Sequence, residues 1–415
     1  MAKVRSRVAV SIIACTLLVA CSRHRSATAV PGARGLGLVQ HVEVLDTLVR
    51  EPMLVEHPSG ALFVAGYNRV RPRLWKSADR GATWTSVDVG AAAQGAIGNS
   101  DVDLAVAPDG TLYFASLTYD NQVGEGVQVA VGVSRDVGKT WRWTTVSRVR
   151  FDDRPWIGVA PDGTAHLIWN DDRGVVHVLS RDRGETWSSP VRVHDRGGSS
   201  HLAIGRHGEV AVRIAPGAAS GNKCDEGTDL VAVSTDAGAT WRKFAAAGVA
   251  TRTAGCLDRN MGITRWVDPL AFDATGALYS LWTDSSGVAL SRAVPGADTW
   301  TTWRGGLAHY PGEPYALFPF LSSRNDSVLV GTWILQTGST LNARVAYFFT
   351  RAGAAPTVSW TALPPIESAR DGKPDPAGEY FAVKLLRDGS IGMVTPIQNA
   401  AANRLGFAWW RFELR

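Results

Sequence analysis

Short apolar runs that stop at a glycine turn and resume on its far side recur along this chain. Residues 53–57 run into Pro58, Ser59 and Gly60 and resume over 61–65. The frame returns at 104–107 with Pro108, Asp109 and Gly110, at 156–160 with Pro161, Asp162 and Gly163, and at 202–205 with Arg206, His207 and Gly208. Pro and Asp favour the early positions of a tight turn, and Gly accepts the positive φ that closes it. Each unit therefore predicts two antiparallel strands joined by a hairpin. Looser versions follow around Ala274, Thr275 and Gly276, around Asn325 and Asp326, and around Arg387, Asp388 and Gly389.

A second repeat follows four of these hairpins. Ser77, Asp79, Gly81, Thr83 and Trp84 define an octapeptide. It recurs as Ser134, Asp136, Gly138, Thr140 and Trp141, as Ser180, Asp182, Gly184, Thr186 and Trp187, and as Ser234, Asp236, Gly238, Thr240 and Trp241. Asp can accept amides within the turn, Gly can take the left-handed conformation, and Trp is a large anchor for burial between layers. A strand-like run precedes the turn and another follows its Trp, so each unit has four strands. Four-stranded antiparallel units repeated about an axis are propeller blades.

The octapeptide resembles the Asp-box, or BNR repeat, of sialidase-like β-propellers. That resemblance implies that Asp79, Asp136, Asp182 and Asp236 are structural and lie on the face away from a ligand site. Seven units can be traced, and the last supplies only three strands (381–386, 391–397 and 405–412). Residues 40–47, where Val42 and Val44 alternate with His41 and Glu43, supply the fourth. The expected fold class is all-β, a seven-bladed β-propeller over residues 38–415 whose last blade is completed by an N-terminal strand. The six-bladed sialidase type is the alternative. Ring closure removes open sheet edges.

The ends of the chain change the charge picture. Lys3, Arg5 and Arg7 precede an apolar run at 8–20 that is too short to span a bilayer comfortably. Leu18, Val19, Ala20 and Cys21 resemble a bacterial lipobox. The resemblance implies a lipoprotein signal peptide over 1–20, lipidation of Cys21, and anchoring to the cell envelope, with Ser22 pointing to the outer membrane. Residues 21–37 read as a flexible tether. Loss of Lys3, Arg5 and Arg7 takes the formal charge from +5 to +2, and no basic stripe argues for nucleic acid. In an exported chain, the remaining Cys224 and Cys256 are expected to form a disulfide.

Counting back nine residues from the turn glycines gives one register near the top of the central channel: Glu51, Asp101, Arg154, Ser199, Val267 and Tyr380. Neighbouring positions add Asp103, Asp153, His201, Asp268 and Glu379, and second-strand ends add Tyr67, Tyr119, Asn170, Asp171 and Asp172. Carboxylates beside aromatic faces suit carbohydrate, whose rings offer apolar C–H faces and hydroxyl donors. No cofactor or metal is expected.

The sialidase resemblance implies Tyr380 as nucleophile, Glu51 as its base, and Asp101 or Asp153 as acid/base. Arg154, Arg213, Asp103, Asp268, Glu379, Tyr67 and Tyr119 would contact the ligand. The family's Arg-Ile-Pro motif has no direct counterpart, because Arg213, Ile214, Ala215 and Pro216 carry an insertion. Two functions stay open. One is a monomeric, lipid-anchored propeller that binds, and as a glycoside hydrolase cleaves, glycans. The other is a non-enzymatic scaffold that docks an envelope protein.

Overall fold

The computed structural model describes residues 35–215, 229–249, 269–284, 287–307, 316–337, 340–351, 354–366, 368–370, 373–374, 381–399 and 402–415. The predicted Cys21, Cys224, Cys256, Asp268, Glu379 and Tyr380 lie outside these residues. The described chain forms seven sheets in sequence order. Their innermost strands touch one another in turn, and the strand Arg50–Glu56 meets Ile391–Asn399 of the last sheet. This is a closed seven-bladed β-propeller. Among the described residues the one complete helical element is a short 3-10 turn, Ala92–Gln94.

Blade one is Arg50–Glu56, Leu62–Tyr67, Pro72–Ser77 and Thr85–Val87. Blade two is Ser100–Val106, Leu112–Asp120, Glu125–Ser134 and Arg142–Ser147. Blade three is Asp153–Val159, Ala165–Asp171, Gly174–Ser180 and Val191–His194. The inner strand of blade four is split into Gly198–Ser199 and Ala203–Ile204, both paired with Val210–Ala215. Blades five and six begin at Leu270–Phe272 and Ala316–Ser323.

The seventh blade closes the ring with both ends of the chain. Leu36–Leu45 pairs antiparallel with Arg404–Leu414. That strand starts earlier than the 40–47 expected from alternation, and so takes in the last two residues assigned to the tether. His41 stacks on Trp410 at 3.8 Å, and Arg404 pairs with Glu43. Short strands Ser368–Arg370 and Lys373–Pro374 add to this sheet, the first running parallel to Ile391–Asn399.

Both repeats form as local turns. In blades one to five and seven the residue three before the turn glycine accepts the glycine amide, as in Gly60 N to His57 O at 2.8 Å. Blade six has Asn325 at φ 57 in place of the glycine, a conformation that Asn tolerates. In the octapeptide, Asp79 accepts the Ser77 hydroxyl (2.8 Å), the Thr83 amide (2.9 Å) and the Thr83 hydroxyl (2.6 Å). The Trp84 indole then donates back to Gly81 O at 3.1 Å.

These turns also join blades. A Cβ on Gly81 would stand 2.1 Å from Trp409 Nε1 of blade seven, and one on Gly238 would stand 2.1 Å from His177 Cε1 of blade three. Each octapeptide glycine thus lies flat against the preceding blade, while Trp84 packs edge-on to Phe407 and Trp409.

Candidate functional site

Three positions of the expected register, Glu51, Asp101 and Arg154, fall at a repeated bulge. The inner strands of blades one, two, three and six each carry one residue more than the strand they pair with, near the end away from the glycine turn. In blades one, three and six the bulged residue precedes a proline and has positive φ: Glu51 (49), Arg154 (49) and Phe318 (48). Such backbone is costly for a side-chain-bearing residue, and it turns the strand at the rim of the channel. Arg50, Ser100 and Asp153 pair with Tyr67, Leu117 and Asn170, so Glu51, Asp101 and Arg154 sit at one depth.

The register residues nevertheless divide into separate settings. Glu51, Asp101 and Tyr67 are all buried. Tyr67 receives a hydrogen bond from Arg50 Nε at 3.4 Å, and burial, then the nearby Glu51 and Asp101 charges, push its phenol well above its ordinary range. Asp103 is fully buried, accepts the Ile157 amide at 2.7 Å, and lies 2.8 Å from His201 Nε2. Its oxygens are committed to protein groups rather than open to a ligand. Arg213 is 1 % exposed and its guanidinium is held by Asp229 through Nη2 (2.8 Å) and Nε (3.2 Å). That buried ion pair belongs to the packing of blade four.

What does gather at the surface is a cleft of about 320 Å³ between blades two and three. Tyr119, Glu125, Phe151, Asp152, Asp153, Arg154, Asn170, Asp171 and Asp172 line it. Three of its carboxylates have cationic partners. Glu125 pairs with Arg150, Asp153 with Arg154, and Asp171 with both Nη atoms of Arg192. Asp171 also accepts the Arg173 amide at 2.8 Å, so its oxygens are largely occupied. Phe151, at φ 65, leaves half of its surface exposed beside them.

Asp152 is the residue that reading by register missed. It is fully buried, takes hydrogen bonds from the Ser147 hydroxyl (3.0 Å) and the Val149 amide (3.2 Å), and has its carboxyl pushed up by burial to about 6. The local signal was the pair Asp152-Asp153 ahead of Arg154 and Pro155; the bonds to Ser147 and Val149 select Asp152 as the one that turns inward.

Tyr119 and Asp153 are thus brought together with Arg154 at this cleft. Glu51, Asp101 and Tyr67 form a second group on blades one and two. No family model and no curated protein matches the chain. Among solved structures, the chain is similar to virginiamycin B lyase from Staphylococcus aureus at TM-score 0.53 and 10 % identity, over 92 % of this chain and 100 % of that one. It is similar to Penicillium chrysogenum α-L-arabinanase complexed with arabinobiose at TM-score 0.50 and 13 % identity, over 91 % and 98 %. It is also similar to a xyloglucanase from Xanthomonas campestris at TM-score 0.52 and 15 % identity, over 89 % of this chain and 55 % of that chain. At these identities the likeness is one of fold, and the fold of this chain is a seven-bladed β-propeller.

Proposed function

We propose that this chain is a carbohydrate-binding propeller whose sugar site is the cleft between blades two and three. The observation that carries the reading is a set of five carboxylates, three of them held by Arg150, Arg154 and Arg192, beside the rings of Tyr119 and Phe151. Carboxylates fixed by their partners accept hydrogen bonds from the hydroxyls of a neutral polyol, and an exposed ring suits its C–H face. Use of the same fold by an arabinanase and a xyloglucanase agrees with this. Neutral glycans are favoured over sialic acid, because Arg150, Arg154 and Arg192 already face carboxylates.

Hydrolysis is the accompanying chemistry in this reading. Asp152, with its raised pKa, turns from Ser147 and Val149 into the cleft to protonate the leaving glycosidic oxygen, and water bonds to the vacated anomeric carbon and gives its own proton to solvent. Asp153, paired with Arg154, faces the positive charge developing at the sugar. We also propose export and lipidation at Cys21, which would place the cleft in the cell envelope.

A glycan array and a panel of fluorogenic glycosides, applied to the full chain, test the proposal. Binding of neutral glycans with turnover lost in Asp152→Asn is expected; absence of any glycan binding would overturn it. Docking of an envelope protein is the second reading, favoured by Val123, Val149 and Phe151, which are about half exposed.

A further inference from the structure

The central channel opens on the glycine-turn face, opposite the bulged rim. It encloses about 450 Å³ and is lined by inner strands of all seven blades. That volume is in the range of roughly 300–1,000 Å³ typical of small-molecule sites. Its mouth is divided by chemistry. Blades two, three and four present Val106, Pro108, Val159, Pro161 and Ile204, whereas blades six and seven present Arg324, Asn325, Lys384 and Arg387.

The cationic sector is open to a ligand. No carboxylate of the described residues lies within ion-pair distance of Arg324, Lys384 or Arg387. Arg324 donates to Leu386 O at 3.3 Å, the Arg387 amide donates to Glu56 Oε2 at 2.7 Å, and Arg387 is exposed. Among the described residues Glu56 is the one carboxylate lining the channel; burial raises its pKa, and Arg387 and Arg324 lie near enough to oppose that. A second cleft of about 380 Å³ shares Glu56 and Arg387 with the channel and adds Arg80. That cleft also carries Arg411 and Asp388, which pair with each other.

We propose that this mouth binds a small organic anion with an apolar body. Its carboxylate or phosphate lies against Arg324, Lys384 and Arg387, and its hydrocarbon part crosses to Val106, Val159 and Ile204. One ligand spanning the mouth satisfies both sectors at once, since charge-assisted hydrogen bonds fix the head while apolar area is buried by the tail. This site is on the opposite face from the proposed sugar cleft and stands independently of it.

Titration calorimetry on the full chain with Cys21→Ser tests the proposal, with octanoate, octyl phosphate, octan-1-ol and acetate as probes. Octanoate or octyl phosphate is expected to bind, and the tighter of the two identifies the head group. Octan-1-ol and acetate should bind at least about tenfold more weakly, each lacking one of the two contacts. Arg324→Gln with Arg387→Gln, both at exposed positions, should weaken binding by about tenfold or more. Val159→Trp, which fills the apolar side, should abolish it. Circular dichroism and melting of each variant establish that it is folded. Failure of both anions to bind, equal binding of octan-1-ol, or unchanged affinity in folded variants would overturn the assignment.

Discussion

His201 Nε2 lies 2.8 Å from Oδ2 of Asp103, although the two residues come from blades four and two. The same carboxylate oxygen accepts the Ile157 amide of blade three. One side chain thus ties three consecutive blades together beside the channel, and the Trp156 indole packs edge-on against the His201 ring.

Asp103→Ala should destabilise the propeller by about 3–5 kcal/mol, because it leaves a buried amide and imidazole without their acceptor. Urea unfolding followed by tryptophan fluorescence measures this. A loss below about 1 kcal/mol would show that the tie between blades is unimportant.

The contact between octapeptide glycine and preceding blade can be isolated by comparing two alanine substitutions. Gly60 and Gly81 share φ 86, but a Cβ on Gly60 meets nothing within 4 Å, whereas on Gly81 it meets Trp409. Gly60→Ala should cost about 1–2 kcal/mol from backbone conformation alone. Gly81→Ala should cost clearly more, with a change in Trp409 fluorescence. Equal losses would remove the role assigned to the blade contact.

Acid should weaken the fold in two stages. His166 Nδ1 and His177 Nε2 are 3.0 Å apart and buried, and burial lowers their pKa values to about 4 and about 3. The unfolded chain binds these protons near the ordinary histidine value, so stability is present above that value and is lost as pH falls towards 4 and then 3. The octapeptide aspartates, held down to about 2 by the hydrogen bonds of their turns, add a second loss below about 4. Melting temperature against pH measures both, and His166→Gln should flatten the first stage while leaving the second.

Glycoside turnover should fall as pH rises through about 6, because Asp152 must carry a proton to donate it. Asp152→Asn should remove most activity and the pH limb with it, while sugar affinity changes little. A pH profile unchanged in that variant would place the acid elsewhere.

Much of the architecture is local in origin, and so it was legible along the chain. Gly60, Gly110 and Gly163 close hairpins through contacts within a few residues, and Asp79 is bound by Ser77 and Thr83 next to it. Repetition of such short-range turns is enough to imply blades and their number. Alternation of Val42 and Val44 likewise marked the strand that joins the last blade, though not its first residue, since pairing with Phe412 and Leu414 sets that end.

The site was decided elsewhere. Glu51, Asp101 and Arg154 do occupy one depth, as counting from the glycines implied. Yet Asp152, just ahead of the strand, is held inward by Ser147 and Val149, while Asp153 pairs with Arg154. Arg213 looked available in the sequence, but Asp229 of the adjacent strand holds it. Strand pairing distributes charges between partners far apart in sequence, and burial then selects which carboxyl keeps its proton. Turn chemistry along the chain determined the frame of this protein, whereas contacts across blades determined which side chains remain open at its two faces.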